Sequence, residues 1–260
     1  ATGKVPNTSA TAASTGSDLN GMAAFNAGMQ IRGRMAKVAA DHFGVSEDII
    51  TFREGRVHAN NESVSFGELA KMSWLKRVQL SEAGFYKTPK IHWDGKTMRG
   101  RPFFYFSYGA AVAEVAIDTL TGETRCLRAD IVQDIGTPLN PAIDLGQIEG
   151  AFVQGMGWLT CEELWWDKDG GVPTVGPSTY KIPGSRDVPP VFNVSLLDQL
   201  PNKEETVFRS KAIGEPPLML AISVWLAIRD AIASIGGNKF APDLEAPATP
   251  EHVLEAIGKL

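Results

Sequence analysis

In the stretch SKAIGEPPLML a single carboxylate, Glu215, stands between a glycine and two prolines. A proline restricts the residue before it, so Glu215 is expected to be extended. Pro216 or Pro217 then fits the first turn of a helix, where a missing N–H costs nothing. Gly214 lets another group come close to the backbone. A carboxylate held in this way at a helix mouth could act as a general base in a cleft. It could also do no more than complement the helix dipole, worth about 0.3–1 kcal/mol. Burial would favour its neutral form and the helix mouth its charged form, so the residues alone leave the choice open.

A second group is the run NTSATAASTGS, residues 7–17. Its small side chains leave backbone N–H groups accessible, and Ser14, Thr15 and Ser17 add hydroxyls just ahead of a helix expected from Asp18. Such a run suits a phosphate-binding loop. It also suits a flexible leader, because the Gly-x-x-x-x-Gly-Lys spacing is missing. A third group, DLGQIEGAFVQGMGW, places Gly146 and Gly150 on one helix face. Glycine in a helix costs about 0.8–1 kcal/mol relative to alanine, so both positions predict close packing, against another helix or a flat ligand. Gln147 and Gln154 carry amides able to grip a heterocycle. His42, His58, His92 and His252 are dispersed without ligand spacing, and surface positions are expected for most of them. Trp158, Trp165 and Trp166 read as core or interface anchors.

Several elements must position these groups. Apolar residues at helical spacing predict a helix over residues 18–40 with Asp18 as N-cap. Residues 49–52 and 57–59 flank Glu54-Gly55 as a hairpin, and a helix over residues 66–75 has Ser65 as its cap. Residues 87–101 read as loop. Residues 103–117 and 125–135 form the clearest strand pair, joined by DTLTGE. Asn140-Pro141 opens a helix to about residue 159, followed by strands at 160–166 and 192–197. The helix after Glu215 stops at Gly236-Gly237, and a closing helix has Thr249 as N-cap and Pro250 first. Strands and helices mix without strict βαβ alternation, so the fold class is α+β, with mixed sheets and packed helices.

The 260 residues allow one large domain or two modest ones, and 43% hydrophobic residues suffice for a packed core. A formal net charge of −5 without any basic block gives no reason to expect nucleic acid or an anionic membrane surface as partner. Cys126 and Cys161 make no CxxC pair and no iron–sulfur ligand set, and read as two free thiols. The apolar run over residues 216–228 falls short of the roughly 20 residues a membrane span needs. A soluble, cytoplasmic protein is expected.

Three stretches together, VPNTSATAASTGSDLNG, NPAIDLGQIEGAFVQG with GPSTYKIP after it, and SKAIGEPP, resemble the molybdenum hydroxylase family, and within it the xanthine dehydrogenases. They match in order and roughly in spacing, from about Lys4 to the C-terminus. The resemblance implies that residues 1–260 correspond to the C-terminal part of the molybdopterin-binding region, incomplete without an upstream chain. It implies that Glu215 is the general base toward a molybdenum-bound hydroxyl. Thr11, Ala12, Ala13, Ser14, Gly16 and Ser17 would line the molybdopterin, with Ala13 close to the metal. Gln147 would hydrogen-bond the cofactor and Gly214 pack its backbone against the same site. No side chain would ligate molybdenum, which the pterin dithiolene holds.

The family's glycine-rich cofactor loop and its substrate-orienting Arg and Glu find no match in this sequence, nor do the iron–sulfur cysteines or the flavin domain. The resemblance therefore implies 2Fe-2S clusters and FAD on partner chains or domains, NAD as electron acceptor, and a hetero-oligomer. The implied reaction is oxidation of hypoxanthine and xanthine to urate with water as oxygen source. An aldehyde or another N-heterocycle as substrate, or a non-catalytic scaffold, are the alternatives.

Overall fold

The structure is a computed structural model that describes residues 14–197, 200–239 and 241–259. It divides into two compact units, Thr15–Phe104 and a second one that holds Ser14 and the residues from Tyr105 on.

The Thr15–Phe104 unit begins with α1 (Gly16–Phe43), which starts two residues earlier than its sequence predicts. Thr15 is the N-cap and Asp18 lies in the first turn, so the expected cap at Asp18 is corrected. The helix ends at Gly44, whose left-handed backbone (φ 62°) returns its N–H to the Ala40 carbonyl. Met35, Val38, Ala39 and Ala40 of α1 pack with Ile50, Val57, Ala59 and Leu69. The strands β1 (Thr51–Arg53), β2 (Arg56–Ala59) and β3 (Glu62–Ser65) form an antiparallel meander. Glu54 and Gly55 both take positive φ in the tight turn between the first two, as a two-residue hairpin with the strands' twist requires. The helix α2 (Phe66–Leu75) opens with a capping box in which Ser65 and Glu68 satisfy each other's backbone N–H groups. The expected loop over residues 87–101 contains a short hairpin, β4 (His92–Asp94) and β5 (Arg99–Arg101).

In the second unit β6 (Gly109–Ile117) pairs antiparallel with β7 (Thr124–Gln133), and β8 (Val191–Leu196) runs parallel to β7. A parallel neighbour needs a long crossover. The chain supplies it with α3 (Pro141–Thr160), capped by the Asn140 side chain, which accepts the Ile143 N–H. A 3-10 turn, Pro216–Ala221, runs directly into α4 (Ile222–Ile235), and α5 (Pro250–Gly258) closes the chain with Thr249 as its cap. Ile131, Ile148, Phe152, Val224, Ile228 and Ile232 form the centre of the core between sheet and helices. Cys126 lies in that core, and burial pushes its thiol above the ordinary range.

Other expectations are corrected in whole or in part. Residues 160–166 are not a strand: α3 continues through Thr160, whose hydroxyl donates to the Met156 carbonyl, and coil follows. Of the two roles expected for Trp158, Trp165 and Trp166, core or interface, they do not fill the core one: all three are exposed. A Cβ at Gly146 or Gly150 would meet open space, so among the described residues no helix packs closely there. That role belongs to Gly155, where a Cβ would lie 2.4 Å from the Leu218 carbonyl oxygen, and to Gly157, where it would lie 2.3 Å from Pro183 Cδ. Finally, the helical run Pro216–Ile235 has 20 residues and a hydropathy of 1.8, long and apolar enough to cross a membrane, whereas a shorter run was expected. Its Val224, Ile228 and Ile232 are buried in the protein core.

The glycines of α3 therefore respond oppositely to a methyl group. Gly155→Ala should destabilise by about 1–3 kcal/mol through overpacking against Leu218. Gly150→Ala should stabilise by up to about 1 kcal/mol through helix propensity. Urea denaturation midpoints of the two variants against the parent check both signs.

Candidate functional site

The backbone that leads to Glu215 is fastened to the exit of β7. Gly136 and Ser210 form an isolated antiparallel bridge. On either side of it the Thr137 N–H donates to the Arg209 carbonyl at 2.9 Å, and the Lys211 N–H to the Ile135 carbonyl at 2.8 Å. The Ala212 N–H donates to the Tyr105 hydroxyl oxygen at 2.8 Å. Below the bridge, the buried Ser210 carbonyl accepts from the Thr206 hydroxyl at 2.6 Å and from the Asn202 amide at 3.1 Å. Buried carbonyls need such partners, and here side chains supply them in the absence of a continuous strand.

This seam delivers Gly214 to a point where two other segments meet it. A Cβ built on Gly214 would lie 2.7 Å from Ser14 Oγ and 3.8 Å from Gln147 Oε1. Ser14 itself takes a left-handed backbone (φ 55°). Gln147 stands exposed on the first turns of α3, and its amide makes no hydrogen bond among the described residues. Thus the first described residue of the small-residue run, the amide of the second motif and the glycine of the third converge.

Glu215 follows at once. It is exposed, and its carboxylate has no hydrogen bond or ion pair among the described residues. Its carbonyl accepts the Leu218 N–H at 3.0 Å, the first bond of the 3-10 turn. The expected extended conformation is corrected: φ −101° and ψ −37° are helical. The early turn of the chain, closed by that bond, outweighs the preference a following proline imposes. Downstream, Pro217 and Ala221 are buried, and Gly155 of α3 admits the Leu218 carbonyl.

Of the remaining expected site residues, Thr11, Ala12 and Ala13 lie outside the described residues. Gly16 and Ser17 are the first two residues of α1, in the other unit. The GPSTYKIP stretch reaches the C-terminal end of α3, where Pro183 packs at Gly157 and the Tyr180 hydroxyl donates to Glu162 at 2.8 Å. Among the described residues no group of three His, Cys, Asp or Glu side chains could hold a metal ion. Residues that the sequence reading missed are those of the seam: Tyr105, Asp134, Asn202, Thr206 and Lys211. Lys211 is a charge inside the quoted SKAIGEPP stretch, a signal that the sequence did offer.

The chain matches the molybdopterin cofactor-binding domain over residues 1–189. It is 47% identical over 261 residues to xanthine dehydrogenase/oxidase of Felis catus, covering 98% of this chain and 18% of that protein. It is 48% identical over 260 residues to xanthine dehydrogenase of Dictyostelium discoideum, covering 97% of this chain and 18% of that protein. Thus it spans about a fifth of the length of the curated relatives it matches. Quinoline 2-oxidoreductase from Pseudomonas putida 86 has the same fold, with a TM-score of 0.78 at 24% identity, covering 95% of this chain and 30% of that one.

The meeting of Ser14 and Gly214 is testable without any ligand. Gly214→Ala should destabilise by about 1 kcal/mol or more, since its methyl would overlap Ser14 Oγ. In the Ser14→Gly background, where both contacting atoms are gone, the same substitution should cost much less. A coupling of about 0.5 kcal/mol or more in the double-mutant cycle, read from denaturation midpoints, is the expected result.

Proposed function

The chain belongs to the molybdopterin cofactor-binding domain family, and we propose that it forms one wall of the molybdenum site in an enzyme that oxidises hypoxanthine and xanthine to urate. The observation that carries this reading is the meeting of Ser14, Gln147 and Gly214 immediately before an exposed carboxylate that has no partner among the described residues. Such a corner fits a hydrogen-bonding heterocyclic cofactor. It offers an unpaired side-chain amide, a hydroxyl beside it, and a glycine that lets backbone approach closely. When bound, the molybdenum cofactor would supply the two-electron oxidant.

In this reading each oxidation replaces a purine C–H by C–OH. The oxygen comes from water, and two electrons and two protons are released. The Glu215 carboxylate takes up one of those protons, as a general base does. Gln147 would donate or accept through its side-chain amide at the edge of the cofactor and Ser14 would lie along it; Thr11, Ala12, Ala13, Gly16 and Ser17 are assigned to the cofactor by the resemblance alone. With Gly214 in front and a helical run behind, Glu215 has little freedom to leave its position. Metal ligation would fall to the cofactor's own dithiolene, and Ala13 is assigned to its neighbourhood by the resemblance alone.

An upstream segment would complete the pocket and orient the purine. Partner chains or domains with 2Fe-2S clusters and FAD would pass electrons to NAD, in a cytoplasmic hetero-oligomer. Exposed Leu164, Trp165, Trp166, Val175 and Ile182 are apolar surface of the kind such partners cover.

In the full enzyme that carries this chain, Glu215→Gln should lower turnover on xanthine by about 10²–10⁴-fold. Molybdenum and pterin content should stay at parental levels. A retained rate with the cofactor in place would reject the assigned role. Comparing xanthine with an aromatic aldehyde in the parent enzyme distinguishes the purine substrate from the alternative.

A further inference from the structure

We infer that Lys211 and Asp134 are positioning residues for Glu215, and this rests on the reading of Glu215 as the base. The ammonium of Lys211 pairs with Asp134 Oδ2, and their side chains are only 10% and 6% exposed. It also donates to the Phe106 carbonyl at 2.9 Å and lies 5.3 Å from the centre of the Tyr108 ring. The other Asp134 oxygen, Oδ1, accepts the Gly136 N–H at 3.0 Å. Both charges are therefore fully engaged, and both belong to the two strands of chain that meet at the Gly136–Ser210 bridge.

A buried ion pair is a poor source of net stability, because desolvation offsets its attraction, and an apolar pair of similar volume often serves as well. What the pair does supply is direction. An apolar contact tolerates sliding, whereas an ammonium held by a carboxylate, a carbonyl and a ring face fixes the Lys211 Cα along and across the seam. The carboxylate of Glu215 makes no bond of its own among the described residues, so its place is set by the backbone that carries it. That backbone is anchored four residues upstream at Lys211 and two residues downstream at buried Pro217. Without the pair, the segment before Gly214 is held only by the backbone bonds of Lys211 and Ala212 and the packing of Ile213, and Gly214 gains freedom to shift about Pro217. Misplacing a catalytic group by about 1 Å can cost about 10²-fold in rate.

The test uses the full, cofactor-loaded enzyme. The double variant Lys211→Met/Asp134→Leu removes both charges and leaves neither buried alone. Asp134→Asn, a milder change that keeps hydrogen-bonding atoms in place, serves should the double variant not fold. Expected for the double variant is a melting temperature close to the parent, and for Asp134→Asn, which leaves the Lys211 ammonium buried without its counter-charge, a lower one. For both, amide hydrogen exchange over residues 211–218 should be faster by about ten-fold or more and kcat per bound molybdenum on xanthine down by about ten- to 10²-fold. The KM should stay within about two-fold, since substrate is not touched. Unchanged exchange and unchanged kcat per molybdenum would overturn the inference. So would lost molybdenum with full activity in the remainder, which would make the pair part of cofactor retention alone. Glu215→Gln separates the two claims: it should abolish turnover with exchange over the same segment unchanged. If Glu215→Gln keeps its rate, the base assignment fails even where the charge-free variants exchange faster.

Discussion

The geometry around Glu215 depends on a seam of hydrogen bonds rather than on a regular element. After β7 ends at Gln133, the chain turns through Gly136, whose φ of 64° and close approach to Arg209 leave no room for a side chain. Opposite it, Phe208 and Arg209 take φ values of 48° and 63°, which disfavour L-residues. Each such conformation costs on the order of 1–3 kcal/mol. The bonds from Asn202, Thr206 and the Gly136 bridge offset that cost. The seam is thus held by its polar partners, and its shape is what sends Gly214 toward Ser14 and Gln147.

A polar seam and an apolar core divide the work. Ile135 precedes the bridge with its side chain in the core, so the same residue gives its carbonyl to Lys211 and its methyls to the sheet packing. Ile213 packs against the core from the other side, one residue before Gly214. The apolar contacts set how deep the segment lies, and the hydrogen bonds set its register. Neither alone would fix a carboxylate that makes no bond of its own among the described residues.

What was legible in the sequence follows the range of the interaction concerned. Helix starts were readable because their signals are local: Ser65 with Glu68, Asn140 with Pro141, and Thr249 with Pro250 all cap where they were expected. The Glu54-Gly55 turn and the β6–β7 pair were readable for the same reason. Illegible were the contacts between distant segments. Asp134 and Lys211 lie 77 residues apart, and nothing in either neighbourhood announces the other. Among the glycines of α3, spacing drew attention to Gly146 and Gly150. Which glycine faces a neighbour depends on where the Pro216–Ala221 turn crosses the helix, and that crossing falls at Gly155. For the site itself, residue types suggested three separate groups. Their convergence at Ser14, Gln147 and Gly214 was reachable in advance only through a family resemblance.

Two glycines on opposite sides of Glu215 explain why so little chemistry on the page can still define a site. Gly155 lets the Leu218 carbonyl approach α3, which draws the 3-10 turn tightly onto the helix that carries Gln147. Gly214 lets Ser14 approach the other flank. The two absences of a side chain act on the same short segment, one behind the carboxylate and one in front. Gln147 lies eight positions before Gly155 on α3, so the helix fixes their separation at about 12 Å along its axis. A rigid helix thereby couples the amide at one end to the turn packed against it at the other. Any change in how α3 meets the 3-10 turn would move Gln147 and Glu215 relative to each other, although neither residue contributes to that contact.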